Sequence, residues 1–262
     1  MAVAYKQLAR ITMNHTGSTT EMNASSVVRI CLMSVARSTD FAIRTRRWLS
    51  SEEEARAKRF LRDADRQRFM LGRAMIRRLC ASHLDLEPGD VRLEESATGK
   101  PYLFCDAQDD WNRLEFNLSH AGDCVLVAWS IGQPIGVDVE ALDHRMSPSF
   151  EEMTSTAYSD DERDVLSAAA GGQMAQTFFR IWVRKEAVLK AEGCGLGGLL
   201  QDFSVARQHA SHTEWAELVR YPVGGRVWRI VDLDCAPGHI AAIAMPEGSN
   251  IVCCKPEEVG FH

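Results

Sequence analysis

Several stretches of the chain either run apolar throughout or alternate apolar and polar residues with the two-residue period of a β-strand. Residues 27–35, VVRICLMSV, are rich in β-branched and apolar side chains and predict a buried strand. Residues 114–130, LEFNLSHAGDCVLVAWS, predict a strand that ends at Asn117, a turn over residues 119–122, and a second buried strand. Residues 135–140, IGVDVE, alternate strictly and predict a further strand. FSVARQ, WRIVDLD and IAAIAM predict short strands near the end of the chain.

Other stretches place apolar residues at the three- and four-residue spacing of amphipathic helices. A capping-box pattern at residues 50–54 predicts a helix that continues through EEEARAKRFL. Further helices are predicted over residues 64–83, within 150–170 and over 175–192. Glycines directly after the last of these predict its end, and they do not form a phosphate-binding loop because they follow a helix.

Glycine and proline at residues 130–134 separate two strongly apolar segments and predict a joint between two units. The predicted organisation is a disordered N-terminal extension over residues 1–26, a first half over 27–132 and a second half over 133–262. The polar tail from residue 247 onward is expected to be peripheral.

Composition narrows the functional classes. With 45% hydrophobic and 25% charged residues, the chain is typical of a globular protein, and no run approaches the roughly 18 apolar residues of a membrane span. The start lacks the apolar core of a secretory signal, and the 8 cysteines show no CxxC spacing, which predicts a cytoplasmic protein with free thiols. A net charge of -6 argues against a general nucleic-acid binder. Basic residues do cluster between residues 56 and 78, where they could bind a small polyanion or form a solvated helix face.

The candidate chemistry lies in the strand 135–140 and the helix 175–192. The two-residue period places Asp138 and Glu140 on one face of the strand, where a divalent cation would relieve their mutual repulsion. The helix carries Glu186 one turn before Lys190. Each pattern also has a plain structural interpretation, as the polar face of an edge strand and as a surface ion pair. Together they suit a metal ion that holds a phosphate group.

Motifs in the order GKP, FNLSHAGD, IGVDVE and WVRKEAVLKAEGCGL make the chain resemble 4'-phosphopantetheinyl transferases of the Sfp (surfactin synthetase-activating) type. The resemblance covers roughly residues 48–245. It implies an α+β fold of two similar halves related by a pseudo-twofold, each a small sheet packed on a long helix. The active site would lie in the cleft between the halves, within a monomer.

The resemblance also implies roles for individual residues. The implied Mg²⁺ ligands are Asp138, Glu140 and Glu186. The implied contacts to coenzyme A are Arg56, Arg77, Lys100, Ser119, His120, Lys185 and Lys190. Glu162 aligns with an acid near the metal. Glu186, directly or through a metal-bound water, is the expected base, and Lys190 is expected to offset the charge of the leaving group.

The implied reaction moves the 4'-phosphopantetheine arm of coenzyme A to a serine of an acyl or peptidyl carrier protein and releases adenosine 3',5'-bisphosphate. The expected partners are the carrier protein and coenzyme A, with no nucleic acid and no membrane. Two alternatives stay open at this point. One is a module that binds coenzyme A or a carrier without transfer, and the other is a metal-dependent phosphodiesterase that cleaves coenzyme A with water.

Overall fold

The structure is a computed structural model that describes residues 27–36, 38, 43, 45–104, 114–142, 149–169, 173–195, 199–206 and 216–261. The predicted N-terminal extension over residues 1–26 lies outside these residues. Every cysteine within the described ranges is a free thiol, as the spacing predicts. No helix in these ranges is both long enough and apolar enough to cross a bilayer. The cytoplasmic location stays a prediction.

The first half is built on a four-stranded sheet in the order β10-β1-β5-β4, in which β10 is the late segment Asn250–Cys253. Strand β1 spans Val27–Ser34 and pairs antiparallel with β5, Cys124–Ile131, which pairs in turn with β4, Leu114–Ala121. A separate two-stranded ribbon joins β2, Leu93–Glu95, to β3, Pro101–Leu103.

Strand β4 is longer than predicted. We expected it to end at Asn117, but its pairing with β5 continues through Ser119 and His120 to Ala121. The turn begins only at Gly122, whose φ of 52° lies in the left-handed region that glycine adopts readily. Ser119 and His120 are therefore strand residues, and their side chains point to opposite faces of the sheet.

The second half is built on a four-stranded sheet in the order β6-β9-β8-β7. Strand β6 spans Gly136–Ala141, and β7, β8 and β9 span Ala216–Arg220, Val227–Leu233 and His239–Pro246. All neighbouring strands of this sheet are antiparallel.

Each sheet carries one long helix. Helix α1, Ser51–Ala57, begins with the predicted capping box between Ser50 and Glu53, and α2, Asp63–Leu84, packs against the first sheet. The predicted helix within residues 150–170 is two helices, α3, Ser149–Ala157, and α4, Asp160–Ala168. A capping box between Ser159 and Glu162 starts α4 and so divides the segment. Helix α5, Met174–Glu192, packs against the second sheet.

The free faces of the two sheets pack against each other. Side chains of β1 and β5, including Ile30 and Leu126, form a buried cluster with side chains of β6, β8 and β9, including Val137, Val231 and Ile243. The order of layers is therefore helix, sheet, sheet, helix. The predicted class, two α+β halves that each pack a small sheet on a long helix, is confirmed.

The end of the chain departs from the predicted boundaries. Strand β10, Asn250–Cys253, pairs in parallel with β1, and Phe261 is buried in the core beneath α2. The segment after residue 247 is thus part of the first sheet, neither peripheral nor part of the second half. It returns there because its apolar residues, Ile251 among them, complete the core between the sheets.

Candidate active site

A cavity of about 380 Å³ lies where β4, β6 and α5 meet. It is open to solvent on one side. The lining residues are Leu118, Ser119, His120, Asp138, Val139, Glu140, Trp182, Glu186 and Lys190. The structure therefore brings together side chains from both halves, and these include all three of the predicted metal ligands.

Gly136 allows α5 to sit directly on β6. A methyl group at this position would overlap the backbone oxygen of Ala187 and lie 2.5 Å from the backbone nitrogen of Ala191. Only glycine permits so close an approach of helix to strand. The close packing sets Glu186 and Lys190 beside the carboxylate of Asp138.

Asp138 is the most fully bonded acid of the cavity. Its side chain is only 6% exposed. Its Oδ1 atom accepts hydrogen bonds from the Ser119 hydroxyl at 2.8 Å and from the Lys190 ammonium at 2.5 Å. Its Oδ2 atom is buried and has no partner among the described residues. A carboxylate held by one oxygen in this way keeps the other available to a ligand.

Glu140 and Glu186 occupy an environment that disfavours their ionised forms. Burial and then repulsion by Asp138 raise the pKa of Glu140 to about 7, although Lys190 and a hydrogen bond from Trp182 act in the opposite direction. Burial also raises the pKa of Glu186, and Lys190 opposes this shift. The Oε1 atom of Glu186 is a second buried oxygen without a partner in the described part of the chain.

The chemistry of these side chains fits a hard divalent cation. Carboxylate oxygens are the ligands that Mg²⁺ prefers, and a cation would both satisfy the two unbonded oxygens and relieve the repulsion that raises the pKa of Glu140. Within the described ranges, no three acidic, histidine or cysteine side chains converge into a ready metal site. The assignment of Asp138, Glu140 and Glu186 as metal ligands therefore stays a proposal.

His120 lines the cavity, whereas Lys100 only contacts the backbone of Lys190 next to it. His120 lines the exposed side of the cavity, and partial burial lowers its pKa from the ordinary 6.5, with Arg68 and Lys190 acting in the same direction. The Lys100 ammonium donates to the backbone oxygen of Lys190 at 3.3 Å, and burial lowers its pKa. The turn that precedes β3 thus reaches across to the C-terminal end of α5.

Two predicted coenzyme A contacts are buried elsewhere. Lys185 is fully buried, and its ammonium lies 2.8 Å from Glu162 and donates to the backbone oxygens of Leu200 and Phe203. Arg77 is 3% exposed and is bonded to Glu53 and to the backbone oxygen of Val91. The Lys185 ammonium uses all three of its hydrogens in these contacts, and neither Lys185 nor Arg77 lines the cavity. Their contacts with coenzyme A therefore stay predictions, and this geometry does not support them.

Glu162 and Arg56 also lie outside the lining of the cavity. Glu162 accepts from the backbone nitrogens of Ser159 and Val205 as well as from Lys185, and it does not line the cavity. Arg56 is half-exposed and pairs with Glu95 at 2.7 Å, away from the lining residues. Its proposed contact with the nucleotide end of coenzyme A stays a prediction.

The sequence reasoning missed two residues of the site region. The helical spacing of the apolar residues in α5 predicts that Trp182 is buried, but it is half-buried and lines the cavity. Its position one turn before Glu186 could have placed it there. Asn117 was read as the end of a strand, although its alternation with Ser119 puts both side chains on one face of β4.

Comparison with known proteins agrees with this architecture. Residues 37–131 match a family described as 4'-phosphopantetheinyl transferase, N-terminal, and residues 134–243 match the 4'-phosphopantetheinyl transferase superfamily. The 4'-phosphopantetheinyl transferase HetI of Nostoc sp. is 34% identical over 75% of this chain and 78% of its own length.

Two other relatives have related names. The L-aminoadipate-semialdehyde dehydrogenase-phosphopantetheinyl transferase of Homo sapiens is 28% identical over 78% of this chain and 70% of its own length. The 4'-phosphopantetheinyl transferase Sfp of Bacillus subtilis is 30% identical over 60% of this chain and 66% of its own length. Taken with the two-half fold, these similarities show that the chain belongs to the 4'-phosphopantetheinyl transferase superfamily.

Proposed function

We propose that this enzyme transfers the 4'-phosphopantetheine group of coenzyme A to a serine hydroxyl of an apo acyl or peptidyl carrier protein, in a reaction that depends on Mg²⁺. The observation that carries the proposal is a pair of buried carboxylate oxygens, on Asp138 and Glu186, that have no partner among the described residues and lie with the Lys190 ammonium in one open cavity. This arrangement suits a cation and a diphosphate together.

The proposed reaction is a displacement at phosphorus. The serine oxygen forms a bond to the phosphorus atom next to the pantetheine arm, and the bond from that phosphorus to the oxygen bridging the diphosphate breaks. The electron pair of that bond leaves with adenosine 3',5'-bisphosphate. The serine proton passes to a base in the cavity. No oxidant, reductant or further substrate is needed.

We assign the residues of the cavity different roles in this step. Glu186, directly or through a metal-bound water, is the proposed base, because its carboxylate lies in the open cavity beside Lys190. Lys190 offsets the negative charge that develops on the leaving group. His120, which lines the cavity, and Lys100, which lies beside Lys190, would contact phosphate oxygens. Mg²⁺ held by Asp138, Glu140 and Glu186 would neutralise the charge of the diphosphate.

Transfer is tested by incubating the protein with coenzyme A, Mg²⁺ and a panel of apo carrier proteins and weighing the carriers by mass spectrometry. We expect a carrier to gain the mass of phosphopantetheine. Asp138→Asn and Glu186→Gln should each lower the rate by at least about 100-fold, since both serve the charged transition state. Glu152→Gln, an exposed residue of α3, is the matched control and should leave the rate unchanged.

The same experiment separates the alternatives. Release of phosphopantetheine without any carrier would identify a phosphodiesterase. Binding of coenzyme A with no mass gain on any carrier would identify a binding module. Unchanged transfer by Asp138→Asn would refute the role of this carboxylate in the site.

A further inference from the structure

Strands β4 and β6 are joined by side chains along the boundary between the two halves. The backbone N–H of Val137 in β6 donates to the side-chain Oδ1 of Asn117 at 3.1 Å, and the backbone N–H of Val139 donates to the Ser119 hydroxyl oxygen at 3.2 Å. Asn117 and Ser119 are both buried and lie two residues apart on β4. We call these four residues the seam. It takes the place of the backbone hydrogen bonds that would join two strands of one sheet.

The Ser119 hydroxyl has no capacity left for a ligand. A serine hydroxyl has one hydrogen to donate and two lone pairs to accept with. Its hydrogen goes to Asp138 Oδ1 at 2.8 Å, and its oxygen accepts from the Val139 N–H and from the Lys190 ammonium at 3.3 Å. A phosphate oxygen has no hydrogen to offer and would need the one that Asp138 already holds.

We propose that Ser119 is a positioning residue that fixes Asp138 and Lys190 relative to each other, and that it does not contact phosphate. The hydroxyl holds Asp138 by Oδ1 alone and so leaves Oδ2 as the oxygen available to a cation. The inference rests on the proposed function, and it replaces the coenzyme A contact that the sequence resemblance implied for Ser119.

The position of Ser119 gives this role a structural consequence. Ser119 belongs to the first half, whereas Asp138 and Lys190 belong to the second. The seam therefore makes the geometry of the cation and phosphate groups depend on how the two halves meet. A residue that only bound coenzyme A from the first half would not couple them in this way.

The test compares Ser119→Ala with wild type in Mn²⁺ binding by electron paramagnetic resonance and in coenzyme A binding by calorimetry without metal. We expect the Mn²⁺ dissociation constant to rise and kcat to fall by about 10- to 100-fold, as for other residues that orient metal ligands. The dissociation constant for coenzyme A should change less than about twofold, because Ser119 makes no phosphate contact and Lys190 keeps its bond to Asp138 in the variant.

Two further variants control for general damage to the boundary. Thr98→Val removes another hydroxyl that bonds across the halves, to the Gly193 backbone oxygen, and should leave Mn²⁺ affinity unchanged. Ser119→Thr retains the hydroxyl and should recover most of the lost affinity. Should Ser119→Ala fail to fold, Ser119→Cys, which keeps the volume but donates weakly, replaces it in the same measurements.

Each result bears on one hypothesis. A raised coenzyme A dissociation constant with unchanged Mn²⁺ affinity would overturn the positioning role and restore the phosphate contact. Equal Mn²⁺ affinity in Ser119→Ala and wild type would also overturn it. If Ser119→Ala binds Mn²⁺ more weakly than wild type as expected, but wild type transfers nothing to any carrier, the proposed function fails while this inference stands.

Discussion

Two lysines on one helix have opposite environments. Lys190 faces the cavity and bonds Asp138, whereas Lys185 is fully buried and bonds Glu162. Five residues of an α-helix turn the side chain by roughly 140° net, so the two cannot share a face. The motif supplied both as candidates because a one-dimensional pattern does not show what packs on the far side of α5.

The buried pair of Lys185 and Glu162 should matter for stability more than for ligand binding. Lys185→Met leaves the Glu162 carboxylate buried without its counter-charge, which should lower the free energy of unfolding by about 3–5 kcal/mol. Glu162→Gln added to Lys185→Met should recover part of this loss. The recovery is partial because the backbone oxygens of Leu200 and Phe203 also lose their donor. Urea unfolding monitored by circular dichroism measures the free energy of unfolding of the single and the double variant.

Lys190→Met is the matched control for Lys185→Met, since it removes an ammonium group from the cavity side of the same helix. We expect it to weaken coenzyme A binding and to cost less stability than Lys185→Met, because the Lys190–Asp138 pair lies in an open cavity whereas the Lys185–Glu162 pair is fully buried. A folded Lys185→Met protein with weakened coenzyme A binding would place Lys185 back in the binding site.

His120 should make ligand binding depend on pH. Its pKa is lowered from 6.5, so the ring is neutral at pH 7 and gains a positive charge only as the pH falls through the lowered pKa. Binding of a diphosphate should therefore tighten on acidification, by about fivefold for a hydrogen bond that becomes charge-assisted. Calorimetric titration with coenzyme A between pH 7.5 and 5.5 measures this.

His120→Gln is the control for the pH experiment. The phosphates of coenzyme A titrate in the same range, and only the difference between wild type and variant reports the histidine. Equal pH dependence in both proteins would remove His120 from the phosphate contacts.

At the scale of elements, the contact between β6 and α5 determines the geometry of the site. Gly136→Ala introduces a methyl group into the backbone of α5 at Ala187 and Ala191. We expect a loss of about 1–3 kcal/mol of stability from overpacking. Catalytic activity should fall further than stability does, because the displaced helix carries Glu186 and Lys190 away from Asp138. Unfolding curves and transfer rates on the same samples give the comparison.

Gly193→Ala controls for the loss of a glycine as such. Gly193 has a φ of 75°, and among the described residues no atom beyond its chain neighbours lies within 4 Å of where its Cβ would be. Its substitution should cost stability through backbone strain alone and leave the rate of the folded enzyme near that of wild type. Equal activity losses in Gly136→Ala and Gly193→Ala would contradict the hypothesis that close packing of α5 on Gly136 sets the geometry of the site.

The helices and strands were predictable wherever a periodic pattern covered a whole element. The predicted bounds of α2 differ from the observed ones by one residue at each end, and those of α5 by one residue at its start. The sequence pattern gave wrong strand ends and side-chain partners where these depend on contacts with distant parts of the chain. Nothing local shows that β4 continues past Asn117, because its last residues are polar and are held by pairing with β5. The environment of Arg77 was likewise not predictable, since its buried partner Glu53 belongs to another helix.

At the scale of the whole molecule, the chain closes back on itself. Strand β10 follows the second sheet in sequence but pairs with β1 of the first. The two sheets also share a buried core, and the seam joins their edges. Sequence reasoning could not foresee this closure, because parallel pairing of segments so far apart leaves no local signal. The closure implies that the halves do not unfold independently.

We expect one cooperative unfolding transition for the intact chain, because exposing either sheet exposes the core that both share. Native-state hydrogen exchange should give the same opening free energy for β5 and β8, which lie in different halves. Ending the chain at residue 247 removes β10 and the buried side chain of Phe261, and it should separate the two values, with β5 the less stable.

Phe261→Ala gives a milder form of the same change, with an expected loss of about 3 kcal/mol, and Val223→Ala, on an exposed turn, is its neutral control. Because Phe261 packs beneath α2, the loss should appear in exchange from both β5 and β8 as long as the shared core holds the halves together. Different opening free energies for β5 and β8 in the intact wild type would show that the halves unfold separately, and the closure by β10 would then be a local feature of the first sheet.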